Sequence, residues 1–564
     1  MKRHIVIGLF LVAALTGSAS AQPTWYVDWQ APGPPNDGLT WCTAFNDLDT
    51  ALGIAMPGDF ILVAQGTYVP ANPLTGFILM PDVAVLGGHG GCYGGFDARD
   101  IVNTPSILSG DLMLDDTPVS CTADSPDCDG LGGRCLHGLC VLPANNIENT
   151  CHVVSALGLG ATAAFLDGFT ITGGNADPMS IHVCTEQDGG GMLIQNSSVA
   201  VYDCIFEWNV AAGGGGGMYS YQSDPTVDGC TFERNSADFG GGMYNEEGTP
   251  GVHGSTFLRN AALTDGGGMY NDSASPDVGF CDFIENDAGQ HGGGMDNYGS
   301  SPTVYNCTFS NNVAASYAAG MYNYYGSSPA ITNCAFTGNV AGGLGGGMCN
   351  YLSSSPTVSN SIFTGNYGWN GGGMLNAGTS SPTLVNCTFT GNSAYTGAGG
   401  INGGGESCSA TLTNCILWGD TPAEIQDGVS TTVAYSDVQG GLPTDIIDGG
   451  GNIDADPLFV DADGADDVFG TIDDDVHLQS GSPCVNTGDP NDAAYSGELD
   501  IDLQPRVQQC RVDMGADETP YLLDDCNANG LDDVECDIGG GTSTDCNGNS
   551  VPDDCETLPS GTIY

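Results

Sequence analysis

From Gly189 to Asn402 the apolar and polar positions recur with a period near 26 residues. Gly-Gly-Gly-Met places its methionine at Met192, Met218, Met243, Met269, Met295, Met348 and Met374, with Ala319-Gly320-Met321 and Gly399-Gly400-Ile401 as degenerate copies. A second signature keeps the same step: Cys204-x-Phe206, Cys230-x-Phe232, Ser255-x-Phe257, Cys281-x-Phe283, Cys307-x-Phe309, Cys334-x-Phe336, Ser361-x-Phe363, Cys387-x-Phe389 and Cys415-x-Leu417. Residues two apart share one face of a strand, so Cys and Phe point to one side, as do Met243 and Asn245. A further strand opens at the Val after Ser-Pro, as in Val304 and Val358. Each unit is too short to bury its own apolar face, and stacking is the way it acquires a core. The pattern predicts an all-β parallel β-helix with three short strands per turn and corners at Gly-Gly-Gly, Ser-Ser-Pro and Phe-x-x-Asn. Coils stacked at ~4.8 Å turn every motif position into a column of like residues.

Two columns carry polar or reactive groups. Asn209, Asn235, Asn260, Asn286, Asn312, Asn339, Asn366 and Asn392 each follow a Phe by three residues, and Asp420 takes the next slot. An inward amide donates to one neighbour and accepts from the other, so these residues are predicted to be structural. The Cys column is predicted to hold buried thiols acting as small hydrophobes, with Ser255 and Ser361 as size-matched replacements.

The paired signatures, GGGM and for example Phe389-Thr390-Gly391-Asn392, resemble the GGA[ILV] and FxxN motifs of bacterial polymorphic outer-membrane proteins. That resemblance implies a right-handed parallel β-helix, a pectate-lyase-like solenoid, secreted or displayed on the outer cell surface of a bacterium and acting in adhesion.

The flanks extend the scheme. Residues 1–21 read as a secretory signal, with Lys2 and Arg3, an apolar run from Ile5 to Leu15, and Ala19-Ser20-Ala21 before the expected cleavage. The β-helix is expected over 22–455, with its regular repeats at 189–420. Trp41 to Met56 reads as a short amphipathic helix, with Trp41, Phe45, Leu48 and Leu52 on one face, that plugs the N-terminal end of the stack. Residues 119–142 hold Cys121, Cys128, Cys135 and Cys140, expected to form two bridges in a loop inserted into the wall, with a zinc site as the rival reading. The total of 23 Cys is odd and leaves at least one thiol unbridged or paired between chains. Residues 456–520 are Asp-rich and are expected to supply terminal coils and a cap; within them Asp461, Asp463, Asp466 and Asp467 are a possible calcium site or a solvated acidic turn.

The tail, 521–564, carries the sharpest chemical signal. Asp545, Asn547, Asn549, Asp553 and Glu556, with the carbonyl of Val551, fall at the spacing of an EF-hand calcium loop, and Asp525, Asn527, Asn529 and Asp533 repeat it twenty residues earlier. This doublet resembles dockerin and type 3 thrombospondin calcium repeats, which implies bound calcium and a possible cohesin-like partner.

Charge narrows the partners. The chain has 68 acidic residues against 8 Lys+Arg, a formal net charge of −60. Such a surface repels phosphate backbones and attracts divalent cations, which excludes nucleic acid. No stretch after the leader is long and apolar enough for a membrane helix. The nearest catalytic constellation is Glu207, Glu233, Arg234, Arg259 and Glu285, read as a mutually paired charge patch. Tyr219, Tyr244 and Tyr270, each following a Met, are expected to point outward as a strip for sugar rings or a partner, or to stabilise the sheet by stacking on each other. The sequence reading is therefore a secreted, calcium-binding interaction protein, adhesin-like and without catalysis, for a polysaccharide or protein of the cell surface or matrix. Its alternative is a polysaccharide-active lyase or glycoside hydrolase.

Overall fold

A computed structural model describes residues 23–94, 99–114, 148–177, 184–404, 408–426, 431–471, 473–490, 499–506 and 511–519, and the backbone of 135–136 and 139–140. The expected signal segment, most of the 119–142 stretch and the whole 521–564 tail lie outside the described residues.

The regular coils stack in register. A representative turn runs through strands Met295–Tyr298, Thr303–Tyr305, Thr308–Ser310 and Val313–Ala314. Like pairs with like from coil to coil, as in Met295 with Met321, Val278 with Val304 and Phe283 with Phe309, always in parallel. The Phe strands form a 13-stranded sheet, and the Met and Val strands join in a 25-stranded one through the continuous strands Val154–Asp167 and Met192–Tyr202. The turn holds four strands rather than the expected three. Two residues after each ladder Asn pair with the next coil before the Gly-rich bend and build a nine-stranded ladder of their own.

Burial follows the columns. Every Met from Met192 to Met374 and every Phe from Phe206 to Phe389 in the motif is fully buried. The eight Phe rings lie face to face, with centroids 4.5–4.8 Å apart and planes within 1–4°. An isolated pair of rings prefers an offset; here the inter-strand spacing imposes the stack. The Cys column is buried and unbridged, as expected, with Ser255 and Ser361 in the same slots.

The Asn column forms a fully satisfied amide ladder. Asn286 Nδ2 donates to Asn312 Oδ1 at 3.0 Å and to the Phe257 carbonyl at 2.9 Å. Its Oδ1 accepts from the backbone N–H and Nδ2 of Asn260, both at 3.0 Å. The pattern runs from Asn209 to Asn392, and Asp420 Oδ1 accepts from Asn392 in the last slot. A second amide ladder links Asn245, Asn271, Asn297, Asn323, Asn350 and Asn376 at 2.9 Å per step.

The N-terminal end is closed much as expected, but by a shorter helix. Trp41–Thr43 makes one 3-10 turn, Phe45 bridges to Val27, and helix α1 spans Leu48–Ile54. Asp47 accepts from the Thr50 N–H and caps α1, which is why the helix does not reach back to Trp41. Trp41, Phe45, Leu48 and Leu52 are all buried. Bridges Cys42–Cys92 and Cys151–Cys184 fasten this half, and the spacing of the cysteines did not announce either pairing.

The Asp-rich region departs from the terminal coils and cap expected of 456–520. The described residues of 456–519 fold back along the outside of the Phe face. Asn360 Nδ2 donates to the Leu499 carbonyl at 3.0 Å, Thr364 Oγ1 to Asp474 at 3.1 Å, and the Ala516 N–H to Thr388 Oγ1 at 3.0 Å. Leu478, Cys484 and Met514 pack on Ile416. Fully buried Arg506 pins the segment through its Nη2, which donates to the Asp513 and Gly515 carbonyls at 2.8 Å each. Gly365, at φ 60°, is a point of close backbone approach: a Cβ there would meet Gly470 backbone at 2.4 Å. At the same corner the uncovered coils carry Arg234, Arg259 and Glu285.

Candidate functional site

The outer side of the Met face carries two adjacent columns. The residues after Met218, Met243, Met269, Met295 and Met321 are Tyr219, Tyr244, Tyr270, Asp296 and Tyr322 in successive coils. The residues before the Gly-rich bend in four successive coils are Phe239, Asp265, His291 and Tyr317. Asp296 thus interrupts a run of tyrosines. Its short side chain leaves a cavity of about 300 Å³ lined by Asp265, Tyr270, His291, Asp296, Tyr298, Tyr317, Tyr322, Tyr324 and Tyr351.

The polar groups of this cavity converge. One oxygen each from Asp265 and Asp296 and one nitrogen of His291 lie within 4.8 Å of one another. His291 Nδ1 is 2.8 Å from Asp265 Oδ1, which also accepts from the His291 backbone N–H at 3.1 Å. The imidazole stacks on Tyr317 and Tyr322, with centroids 5.0 and 4.9 Å away. Asp296 is 2% exposed, and its carboxylate makes no hydrogen bond or ion pair with any described residue. Burial, and then the neighbouring Asp265, push its carboxyl well above the usual carboxylate range. Two carboxylates and an imidazole are a donor set able to hold a metal ion. The surrounding rings offer faces on which a sugar or another flat group can lie.

The expected tyrosine strip is present but largely closed. Tyr219 and Tyr270 are buried and Tyr244 is half-buried. Neighbouring rings meet edge to face, with centroids 5.2 and 5.0 Å apart, and Phe239 covers Tyr244 and Tyr270. Tyr219 Oη donates to Glu246 Oε2 at 2.5 Å. These contacts favour self-stacking at Tyr219, Tyr244 and Tyr270. The accessible rings lie further along: Tyr298, Tyr324 and Tyr351 are half-buried, and Tyr325, stacked on Tyr298 at 5.6 Å, is 63% exposed.

The other sequence-derived groups fall elsewhere. Asp461, Asp463, Asp466 and Asp467 form a turn in which no three side chains converge. Asp466 instead accepts from the Val468 N–H at 3.0 Å, and the Asp463 carbonyl accepts from the same donor at 2.9 Å. Asp525, Asn527, Asn529, Asp533, Asp545, Asn547, Asn549, Val551, Asp553 and Glu556 all lie outside the described residues. Glu207 and Glu233 are neighbours across two coils. Glu233 pairs with Arg234 and Glu285 with Arg259, as the charge-patch reading expects. Burial, then Glu233, raise the Glu207 carboxyl against the lowering effect of Arg234. A larger concavity, about 780 Å³, lies between the Phe face and the folded-back segment, but Thr, Ser and aliphatic side chains make up most of its lining.

The sequence reading missed Asp265, His291 and Asp296. The signal was available at two fixed positions of the repeat, after the Met and before the glycines, where charged groups replace aromatic ones in adjacent coils.

A family model described as "Right handed beta helix region" matches residues 134–288, 167–344 and 270–436. The fold is also similar to the crystal structure of pectate lyase Pel9A, at 13% identity and a TM-score of 0.38, covering 89% of this chain and 98% of that one. A second similar structure is the complex structure of XylC with xylose, at 8% identity and a TM-score of 0.31, covering 77% of this chain and 87% of that one. No curated protein matches the sequence. Among the described residues no helix is long and apolar enough to cross a membrane.

Proposed function

Since the chain belongs to the right-handed β-helix family, we propose that it is a secreted or surface-displayed interaction protein, adhesin-like and non-catalytic. In this reading it binds a polysaccharide or glycosylated surface through the tyrosine-walled cavity of its Met face. The observation that carries the reading is the break in the tyrosine column at Asp296. It opens a concave, aromatic, acid-floored site beside coils in which Tyr219, Tyr244 and Tyr270 pack on each other. Sugar rings stack on aromatic faces while carboxylates accept from their hydroxyls. The two disulfides and the expected leader support an oxidising, extracellular setting. The motif resemblance to polymorphic outer-membrane proteins points the same way. The calcium loops expected in the tail would bind calcium and fasten the solenoid to its own cell or to a cohesin-like partner.

A second reading is kept for one reason: a raised Glu207 beside Glu233 is the arrangement that a glycoside hydrolase requires of its acid and its partner carboxylate. One assay separates the two. The full chain, in calcium, is incubated with acidic and neutral polysaccharides, and both co-sedimentation and product release are scored. Retention without products, lost in Tyr298→Ala/Tyr324→Ala, supports the binding protein. New reducing ends or unsaturated uronates, lost in Glu207→Gln, overturn it in favour of the enzyme.

A further inference from the structure

We propose that Asp265, His291 and Asp296 bind a divalent transition-metal ion of the zinc type at the floor of the tyrosine cavity. The inference rests on the reading of that cavity as the ligand site, and it names what the site holds.

Three observations carry it. The donor atoms of the three side chains already lie within 4.8 Å of one another, from residues on neighbouring coils of a rigid stack. The carboxylate of Asp296, a residue 98% removed from solvent, has no hydrogen-bonding or ionic partner among the described residues, and it lines the cavity. A buried unpaired carboxylate is costly, and a cation is the partner that offsets that cost. The repeat also shows what the position holds when no ion is needed: Tyr219, Tyr244, Tyr270 and Tyr322 occupy it in the nearest coils, and Leu193, Cys349 and Leu375 further along, none of them acidic.

The donor set selects the metal. An imidazole beside two carboxylates suits zinc and its neighbours, whereas calcium takes oxygen ligands. Asp265 holds the His291 ring by its Nδ1 contact, and Tyr317 and Tyr322 pack on the ring faces, so the imidazole is oriented before any ion arrives. Three protein ligands leave coordination positions open toward the cavity. There a hydroxyl or carboxylate of the ligand would complete the shell, coupling metal to ligand binding.

The test is a Co2+ titration of the full chain in excess calcium, read by ligand-field absorption and by calorimetry. Asp296→Tyr installs the residue the column already accepts, and Asp296→Asn carries the comparison should the Tyr variant not fold. The wild type is expected to take up one more equivalent than Asp296→Tyr, with an absorption spectrum free of thiolate charge transfer. Asp296→Asn is expected to bind at least tenfold more weakly. Equal stoichiometry and affinity in all three proteins would overturn the proposal, as would a thiolate band unchanged by either variant. No glycan is present, so this result stands or falls separately from polysaccharide binding.

Discussion

Substituting Asn286 tests whether the amide ladder is a cooperative hydrogen-bonding column. Its Oδ1 is the acceptor for the backbone N–H and one Nδ2 hydrogen of Asn260, so Asn286→Ala orphans those two buried hydrogens, while Asn260 Nδ2 keeps its bond to the Phe232 carbonyl, and leaves the Phe257 carbonyl short of one donor. At about 1–3 kcal/mol for each orphaned donor, the loss is about 2–6 kcal/mol. Urea unfolding followed by circular dichroism should show the midpoint fall by roughly 1–2 M, from a slope near 3 kcal/mol/M. Asn286→Asp separates accepting from donating. Its carboxyl still accepts from Asn260, but when ionised it faces Asn312 Oδ1 and the Phe257 carbonyl with nothing to donate. The folded state should therefore hold this carboxyl protonated, and stability should be kept at low pH and lost as the pH rises. Asp420 shows where an acid is tolerated: at the end of the ladder it accepts from the Asn392 N–H at 2.7 Å and from Nδ2 at 2.9 Å. A drop under about 1 kcal/mol in the Ala variant, or no pH dependence in the Asp variant, would refute the reasoning.

Three further outcomes follow from the same geometry. Burial pushes Glu424 up to about 7, above the 4.5 of the free group, so its stabilising contribution is complete below about pH 4.5 and is lost as the pH rises through about 7. Glu424→Gln should remove part of that dependence, read as a flatter plot of melting temperature against pH. Burial would lower His477, but Asp475 and then Asp502 outweigh it and raise the imidazole to about 9. His477→Gln should expose Phe459–Leu478 to limited proteolysis below pH 9, and the wild type should show the same exposure only as the pH passes that value. Asp296→Tyr should raise the melting temperature of metal-free protein, because it exchanges an unpaired buried carboxylate for a ring that continues the tyrosine column; a lower value would contradict the account of that position.

The solenoid was legible because repetition amplifies it. Met, Phe and Asn at a fixed step can be satisfied only by stacking, and each column then accounts for its own residue type. The site was harder to read because it consists of departures from that step: Asp296 where neighbours have Tyr, and Asp265 and His291 beside Phe239 and Tyr317. A reading that looks for what recurs passes over what does not. The folding back of 456–519 escaped for a different reason. It depends on contacts between positions more than a hundred residues apart, such as Ala516 with Thr388, and on Gly338, Gly365 and Gly391 at a corner that the uncovered coils fill with larger side chains. The tyrosine strip was placed on the correct face. The cover over Tyr244 and Tyr270 came from Phe239, whose position relative to the strip is set by the Gly-rich bend.

The account turns on the cavity at Asp296 being the place where a ligand sits. The most direct test is hydrogen exchange on the full chain with and without whichever polysaccharide it retains. Protection concentrated in His291–Tyr298, Tyr317–Tyr325 and Tyr351, and weakened roughly tenfold in affinity by Tyr298→Ala/Tyr324→Ala, is the predicted result. Protection centred on Glu207 and Glu233 instead, with the tyrosine coils unchanged, would contradict it.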